Sequence, residues 1–254
     1  MERADKTALI TGGSRGIGYE LAKLCAQDGY DVVLVARHQE PLERAADALE
    51  STWGITTMTI PKDLSRPESA REIHDELRHE NIHVDILVNN AAARPTPARF
   101  DETDLEITED LIRTNVVTLT NLTRRFVAPM VERGAGRILN VSSVAGELPS
   151  PPFGVYAATK GYVSTLSTVL ARQLEPAGIT VTVLVPGWTD TEMAWDAFEA
   201  LDIDPETREI LSPEDVAKAG YDGLLSGHTH VIPGQQYREA IRSELTTRAS
   251  DIGP

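Results

Sequence analysis

Along most of the chain, short apolar runs alternate with longer stretches in which apolar residues recur every three or four positions. The runs Thr7–Ile10, Asp31–Ala36, Ile55–Ile60, Val84–Val88, Arg137–Val141 and Ile179–Val185 have the length and aliphatic content of buried strands. Between them, Ile17–Asp28, Glu40–Glu50, Pro67–Glu80, Thr103–Glu132 and Val155–Glu175 carry helical periodicity. Strand and helix in strict alternation predict an α/β fold with a doubly wound parallel sheet, since each crossover is long enough to hold a helix. Beyond Pro186 the pattern loosens. Helices are expected over Thr191–Leu201 and Pro213–Leu225, a last strand over His228–Ile232 and a charged terminal helix over Gln236–Thr247. No repeat, low-complexity segment or linker divides residues 1–254, so one domain is expected.

Composition narrows the functions open to such a fold. The formal charge of −15 argues against a general binder of nucleic acid or anionic membranes, which need clustered Lys and Arg. Cys25 is the single cysteine, so no intrachain disulfide and no cysteine-based metal cluster can form. Its place in the amphipathic run Tyr19–Ala26 predicts a small core residue. Met1–Lys6 leads straight into a strand pattern without a signal-like apolar segment, and no stretch approaches membrane-spanning length without charges. A reducing cytoplasm is the expected setting.

The first strand runs into Thr11-Gly-Gly-Ser-Arg-Gly-Ile-Gly18. A glycine turn between strand and helix aims backbone N–H groups and a helix N-terminus at one spot, which favours a dinucleotide pyrophosphate. Gly12, Gly16 and Gly18 follow G-x-x-x-G-x-G rather than the better-known G-x-G-x-x-G. The second strand ends in Ala36 and Arg37, without the acidic residue that grips a ribose 2′-hydroxyl in NAD-selective sheets. Arg37, with Arg15 inside the turn, can pair with a 2′-phosphate instead. NADP(H) is therefore favoured, with NAD(H) left open.

Further along, Tyr156-Ala-Ala-Thr-Lys160 sets a phenol and an ammonium at i and i+4, on one helix face. A cation beside a phenol favours the phenolate, so a tyrosine pKa lowered towards neutrality is expected, suited to proton exchange with a substrate oxygen.

Taken in order and at their spacing, Thr11–Gly18, Asp63-Leu64, Asn89-Asn-Ala-Ala92, Asn115, Asn140-Val-Ser-Ser143, Tyr156–Lys160 and Pro186-Gly-Trp-Thr-Asp-Thr191 resemble the short-chain dehydrogenases/reductases, in their compact single-domain branch. The resemblance covers nearly the whole chain and implies a Rossmann-type sheet. By it, Ser143 and Tyr156 are the catalytic hydroxyls, Lys160 is the partner of Tyr156 and a ligand of the nicotinamide ribose, and Asn115 completes a tetrad through a water. It also implies cofactor contacts from Gly12, Ser14, Arg15, Gly16, Ile17 and Gly18, from Arg37, and from Asp63 and Leu64 at the adenine. Asn89 and Ala91 would line the adenosine ribose, and Pro186, Gly187, Thr189 and Thr191 the nicotinamide carboxamide. The implied activity is reversible hydride transfer between NADP(H) and a ketone or secondary alcohol, without a metal. Alternatives are an epimerase using transient hydride transfer, or a non-catalytic NADP sensor, which would have no need of Ser143, Tyr156 and Lys160 together. The resemblance further implies a homodimer or homotetramer built on the two long helices, and a lid near residues 188–212. Ala92, where the pattern has glycine, and Thr189, where it has an aliphatic residue, depart from it.

Several conspicuous features read as ordinary. Asp101–Asp110 is an acidic cluster at an expected helix start, where negative charge is welcome. His228 and His230 share one side of a strand but lack further ligands. Arg94 reads as a surface arginine, although it follows the asparagine motif closely enough to reach a substrate mouth. Glu147–Phe153 is expected to be a loop bordering the substrate. Trp188, Trp195 and Phe198 fall where the resemblance implies a lid, and there they either pack the lid itself or favour a hydrophobic or aromatic ketone.

Overall fold

A computed structural model of the chain describes residues 6–250; the polar lead Met1–Asp5 and residues 251–254 lie outside the described residues. In chain order the elements are β1 (Thr7–Thr11), α1 (Gly16–Gln27), β2 (Asp31–Ala36), α2 (Gln39–Trp53), β3 (Thr57–Pro61), α3 (Ser69–His79) and β4 (Val84–Asn89). They continue with α4 (Leu105–Ile112), α5 (Leu119–Arg133), β5 (Gly136–Val141), α6 (Val144–Glu147), α7 (Gly154–Leu174) and β6 (Ile179–Leu184). The last are α8 (Glu192–Ala200), α9 (Pro213–Leu225), β7 (His230–Val231) and α10 (Gln235–Ser250). Seven strands form one sheet in the order β3-β2-β1-β4-β5-β6-β7, and every pairing is parallel. The order reverses between β1 and β4, the place where open sheets of this kind leave a crevice for ligands.

Alternating strand residues feed two cores. Ala8, Ile10, Val32, Leu34, Ile86 and Val88 pack with Leu21, Cys25, Leu42, Leu49 and Val216 from α1, α2 and α9. Leu9, Val33, Val35 and Leu87 pack on the other face with Ile73, Leu77, Leu122, Phe126 and Met130 from α3 and α5. Burial on both faces explains why the strands read as continuous apolar runs rather than alternating ones. Cys25 is fully buried as expected, and burial pushes its thiol pKa up, so it is a core residue rather than a nucleophile.

The long helix expected over Thr103–Glu132 runs from Leu105 to Arg133, but it is not α-helical throughout. Asp104 opens α4, its carboxylate accepting from the Glu106 and Ile107 N–H groups, and residues Arg113–Thr118 then widen into a π-helical turn before α5 begins. The 147–153 region, expected as a loop, is partly ordered by the one-turn α6 and a 3₁₀ turn at Pro151–Phe153. Pro67 does not open α3, which starts at Ser69, and the last strand shrinks to His230–Val231. Among the described residues no helix is long and apolar enough to cross a membrane.

Close approach, more than flexibility, accounts for the glycines of the β1–α1 turn. A Cβ on Gly12, which has φ +67°, would lie 2.6 Å from Asn90 Nδ2, and one on Gly18 would overlap the Gly12 carbonyl. Gly18→Ala should therefore lower stability by about 1–3 kcal/mol, because the turn must open to admit the methyl group. Urea unfolding of the purified variant measures this.

Candidate functional site

The site begins at the C-terminal ends of β1 and β4. Thr11 Oγ1 accepts from the Asn90 and Ala91 N–H groups at 3.0 and 3.1 Å, while Asn90 Nδ2 donates to the carbonyls of Thr11 and Gly12. These bonds clamp the glycine turn to the next strand. Asn90, unlike its neighbours Asn89 and Ala91, was not singled out in the sequence, since a fastener between two strand ends has no local signature. Asn89 turns inward: it is buried, and its Nδ2 donates to Thr123 Oγ1 and Asn140 Oδ1.

The residues of the turn fit an anionic cofactor. Helix α1 has Arg15 as its N-cap, with no side-chain cap and no acidic residue in the first turn. The leading N–H groups of α1 thus keep their positive potential for a ligand. Ser14, Gly16 and Ile17 lie half-buried in this turn, and Arg15 is exposed. Arg37 is exposed just past the end of β2. Asp63, beyond β3, is opposed in its ionisation by burial, but the Ser65 N–H and hydroxyl and the charges of Arg37 and Arg66 outweigh this and hold its carboxyl below the usual range. Leu64 is buried, and its carbonyl accepts from Thr118 Oγ1 at 2.8 Å in the π-helical turn.

The second half of the site hangs on β5, β6 and α7. Ser143 caps α6, its Oγ accepting from the Ala145 N–H at 3.2 Å, and its hydroxyl also bonds with Tyr156. Ser142 donates to the Lys160 carbonyl at 2.8 Å and bonds Ser164, which anchors α7 beneath the site. Lys160 is only 3 % exposed; its Nζ donates to the Val141 carbonyl at 2.9 Å and lies 5.7 Å from the Tyr156 ring centre. Asn115, in the π-helical turn, accepts from the Ala93 N–H at 3.0 Å and donates to Thr159 Oγ1 at 3.1 Å. Thr159 in turn donates to the Tyr156 carbonyl. The structure therefore draws Asn115, Ser143, Tyr156 and Lys160 around one helix face at the sheet's C-terminal edge.

One expectation is corrected. Burial pushes the Tyr156 phenol up to about 12, with the Ser143 hydrogen bond pulling weakly the other way, rather than down towards neutrality. The cause is the phenol's own desolvation; Lys160 is buried as well, which brings it down to about 8, and its Nζ donates to the Val141 carbonyl.

The segment after β6 closes against this edge. Pro186 accepts from the Val144 N–H, Thr189 is buried and donates to the Gly187 carbonyl, and Thr191 Oγ1 donates to the Thr189 carbonyl. The Tyr237 ring covers Gly187, and its hydroxyl accepts from the Trp188 N–H while donating to the Glu209 carbonyl. Tyr237 was missed in the sequence, because α10 meets this segment only through tertiary packing. Arg94, read as a surface arginine, pairs with Glu192 at 3.1 Å and with Asp196, while Arg15 also pairs with Glu192. Trp188, Phe198 and Trp195 form an aromatic cluster on α8 and its lead-in. His230 bonds Thr168, and among the described residues no His, Cys, Asp and Glu cluster of metal-site size occurs.

A doubly wound parallel sheet with a glycine turn at an uncapped helix N-terminus, facing a Ser–Tyr–Lys group across the switch point, defines a Rossmann-type protein of the dehydrogenase kind. The family model for short chain dehydrogenases matches residues 6–202. The rat (Rattus norvegicus) very-long-chain 3-oxoacyl-CoA reductase is 34% identical over 238 residues, covering 91% of this chain and 74% of that protein. A short-chain dehydrogenase from Sphingobium yanoikuyae, solved in complex with NADPH, superposes with a TM-score of 0.83 at 32% identity, over 98% of this chain and 96% of that one. The bulky-bulky ketone specific alcohol dehydrogenase from Comamonas testosteroni superposes with a TM-score of 0.81 at 27% identity, over 98% and 95% of the two chains. The chain belongs to the short-chain dehydrogenase family and is an oxidoreductase.

Burial of the Lys160 ammonium has a measurable cost. Because its pKa falls from 10.5 unfolded to about 8 folded, the folded state binds fewer protons between those values, and stability rises with pH across that window. Relative to Lys160→Met, the wild type should gain on the order of 3 kcal/mol between about pH 7 and about pH 10.5. Denaturant titrations of both proteins across this range measure the difference.

Proposed function

We propose that this chain is an NADP(H)-dependent reductase of ketones and, in reverse, a dehydrogenase of secondary alcohols. The observation that carries the reading is the convergence of Ser143, Tyr156 and buried Lys160 opposite the uncapped N-terminus of α1. Support comes also from the NADPH bound in the Sphingobium relative and the ketone named for the Comamonas enzyme. Gly12, Ser14, Gly16, Ile17 and Gly18 would hold the pyrophosphate, and Arg15 and Arg37 the 2′-phosphate, with NAD(H) the weaker ligand. Asp63, Leu64, Asn89 and Ala91 would border the adenosine. Pro186, Gly187, Thr189 and Thr191 would orient the carboxamide, beneath a lid formed by residues 188–212 of a single NAD(P)-binding domain.

The bound nicotinamide supplies the hydride. Ser143 and Tyr156 hydroxyls donate to the substrate oxygen and polarise its carbonyl. A phenol held near 12 stays protonated throughout the neutral range, so Tyr156 is the acid for reduction and delivers its proton to the developing alkoxide. The charge left on Tyr156 is met by the Lys160 ammonium, which donates to the neutral Val141 carbonyl. Asn115 anchors the helix turn beside Thr159 and would hold the water through which Lys160 reaches solvent. In the alcohol-oxidising direction Tyr156 must start as phenolate, so that direction gains with alkaline pH.

Oligomeric state follows from surface chemistry in the same reading. Ile112, Val117 and Val131 on the α4–α5 run and Tyr162 and Val169 on α7 are exposed, and a second copy of the chain would cover them in a dimer or tetramer. The cytoplasm remains the proposed setting.

Tyr156→Phe should lower turnover of a ketone by about 10²–10⁴-fold while NADPH binding persists; turnover near the wild-type level would sink the proposal. Arg37→Asp should shift kcat/KM from NADPH towards NADH, as read in parallel assays with both cofactors. Ketone reduction by the wild type should decline as pH rises through about 8, where Lys160 loses its charge. A pH–rate profile flat to well above that value contradicts the role given to Lys160.

A further inference from the structure

A cavity of about 160 Å³ opens beside Tyr156, walled by Pro95, Ala98, Ile107, Leu111, Pro152 and Phe153. Its two sides are tied together, the Ala98 N–H donating to the Pro152 carbonyl at 3.1 Å, and the Phe153 ring meets Tyr156 edge-on at 6.5 Å. Apolar cavities of about 150 Å³ accept a benzene ring. Phe100 also lines it and is 79% exposed, an apolar surface ready to be covered by a substrate.

Charge around the cavity is one-sided. Its lining holds no Lys, Arg or His, but includes Glu102 and Asp104. Asp101, Glu106 and Glu109 add exposed carboxylates along the same stretch. The arginines that flank this stretch are each engaged by carboxylates: Arg94 by Glu192 and Asp196, Arg99 by Asp101, and Arg113 by Glu109 and Asp110. An anionic substrate would meet a negative rim with its nearby cations already paired.

Resting on the reductase reading above, we propose that this cavity selects neutral ketones bearing one aromatic or similar six-membered ring, and that its acidic rim rejects substrates carrying carboxylate or phosphate, acyl-CoA thioesters included. Selection by ring size comes from burial of the ring against Ile107, Leu111 and Phe153. Selection by charge comes from Glu102, Asp104 and Glu106, which pair with no arginine among the described residues, whereas Asp101 and Glu109 are met by Arg99 and Arg113.

The test uses the purified full chain, NADPH and four probes: 2-butanone, methyl 4-acetylbenzoate, 4-acetylbenzoate and acetoacetyl-CoA. The neutral ester should exceed 4-acetylbenzoate, its anionic counterpart, by about tenfold or more in kcat/KM at low salt, and should also exceed butanone and the thioester. Glu102→Lys should narrow the ester-to-carboxylate ratio, and added salt should narrow it for the wild type. Ile107→Trp, which fills the cavity, should cost the ester more than butanone. Equal or better turnover of acetoacetyl-CoA or 4-acetylbenzoate overturns the proposal while leaving the reductase reading intact. No reduction of any probe by a protein that still binds NADPH overturns the reductase reading, and this inference with it.

Discussion

The site depends on a positive charge held out of water. Lys160 is buried in α7 against the end of β5, and its Nζ donates to the Val141 carbonyl. An ammonium in that place costs free energy, as the fall of its pKa to about 8 records. Many of the surrounding contacts serve to keep the helix that carries it seated. Ser142 ties the Lys160 backbone, Asn140 donates to Ser167 about two turns further along, and Asn115 holds Thr159 from the side. Polar groups of this kind are expensive to bury singly and cheap only when mutually satisfied. That is why they form one seam between the ends of β4 and β5 and the face of α7.

Tyr156 sits at the outer end of that seam, where burial raises its pKa instead of lowering it. The two shifts are complementary. Below about pH 8 the phenol keeps its proton and the lysine keeps its charge, so the phenolate forms only when a substrate oxygen takes the proton. Proton transfer would then create the negative charge beside the buried Lys160. The cost of burying the lysine is thus incurred in folding, before any reaction takes place.

Across the crevice, the residues after β6 are held by two unlike means. Tyr237 from α10 packs on Gly187 and bridges Trp188 and Glu209, a partly buried arrangement with little freedom. Helix α8 is linked to the glycine turn and to the segment after β4 through Glu192 and Asp196, which pair with Arg15 and Arg94. Those pairs are substantially exposed, and exposed pairs contribute on the order of 0–1 kcal/mol. The inner part of the segment is seated by Tyr237, while α8 buries Ala194, Ala197 and Phe198 beneath its exposed ion pairs. Arg15 is the residue common to the helix α8 pairing and the anion site proposed at the turn.

Residues acting through local chain geometry were legible in the sequence. The glycine turn, the i and i+4 spacing of Tyr156 and Lys160, the capping carboxylate among Asp101–Asp110 and the apolar strands all have consequences that follow from their neighbours along the chain. So did the sheet itself, because strands buried on both faces can be read as uninterrupted apolar runs. What depends on distant segments was not. Whether Lys160 lowers the tyrosine pKa hinges on how far both are buried and on where Nζ points, which the fold of β5 against α7 decides. The π-helical turn that presents Asn115, the fastening by Asn90, the cover of Tyr237 and the pairing of Arg94 were decided there too. Spacing along a helix sets which side chains are neighbours, but desolvation and long-range hydrogen bonds set their charge, and those exist only once the chain has packed.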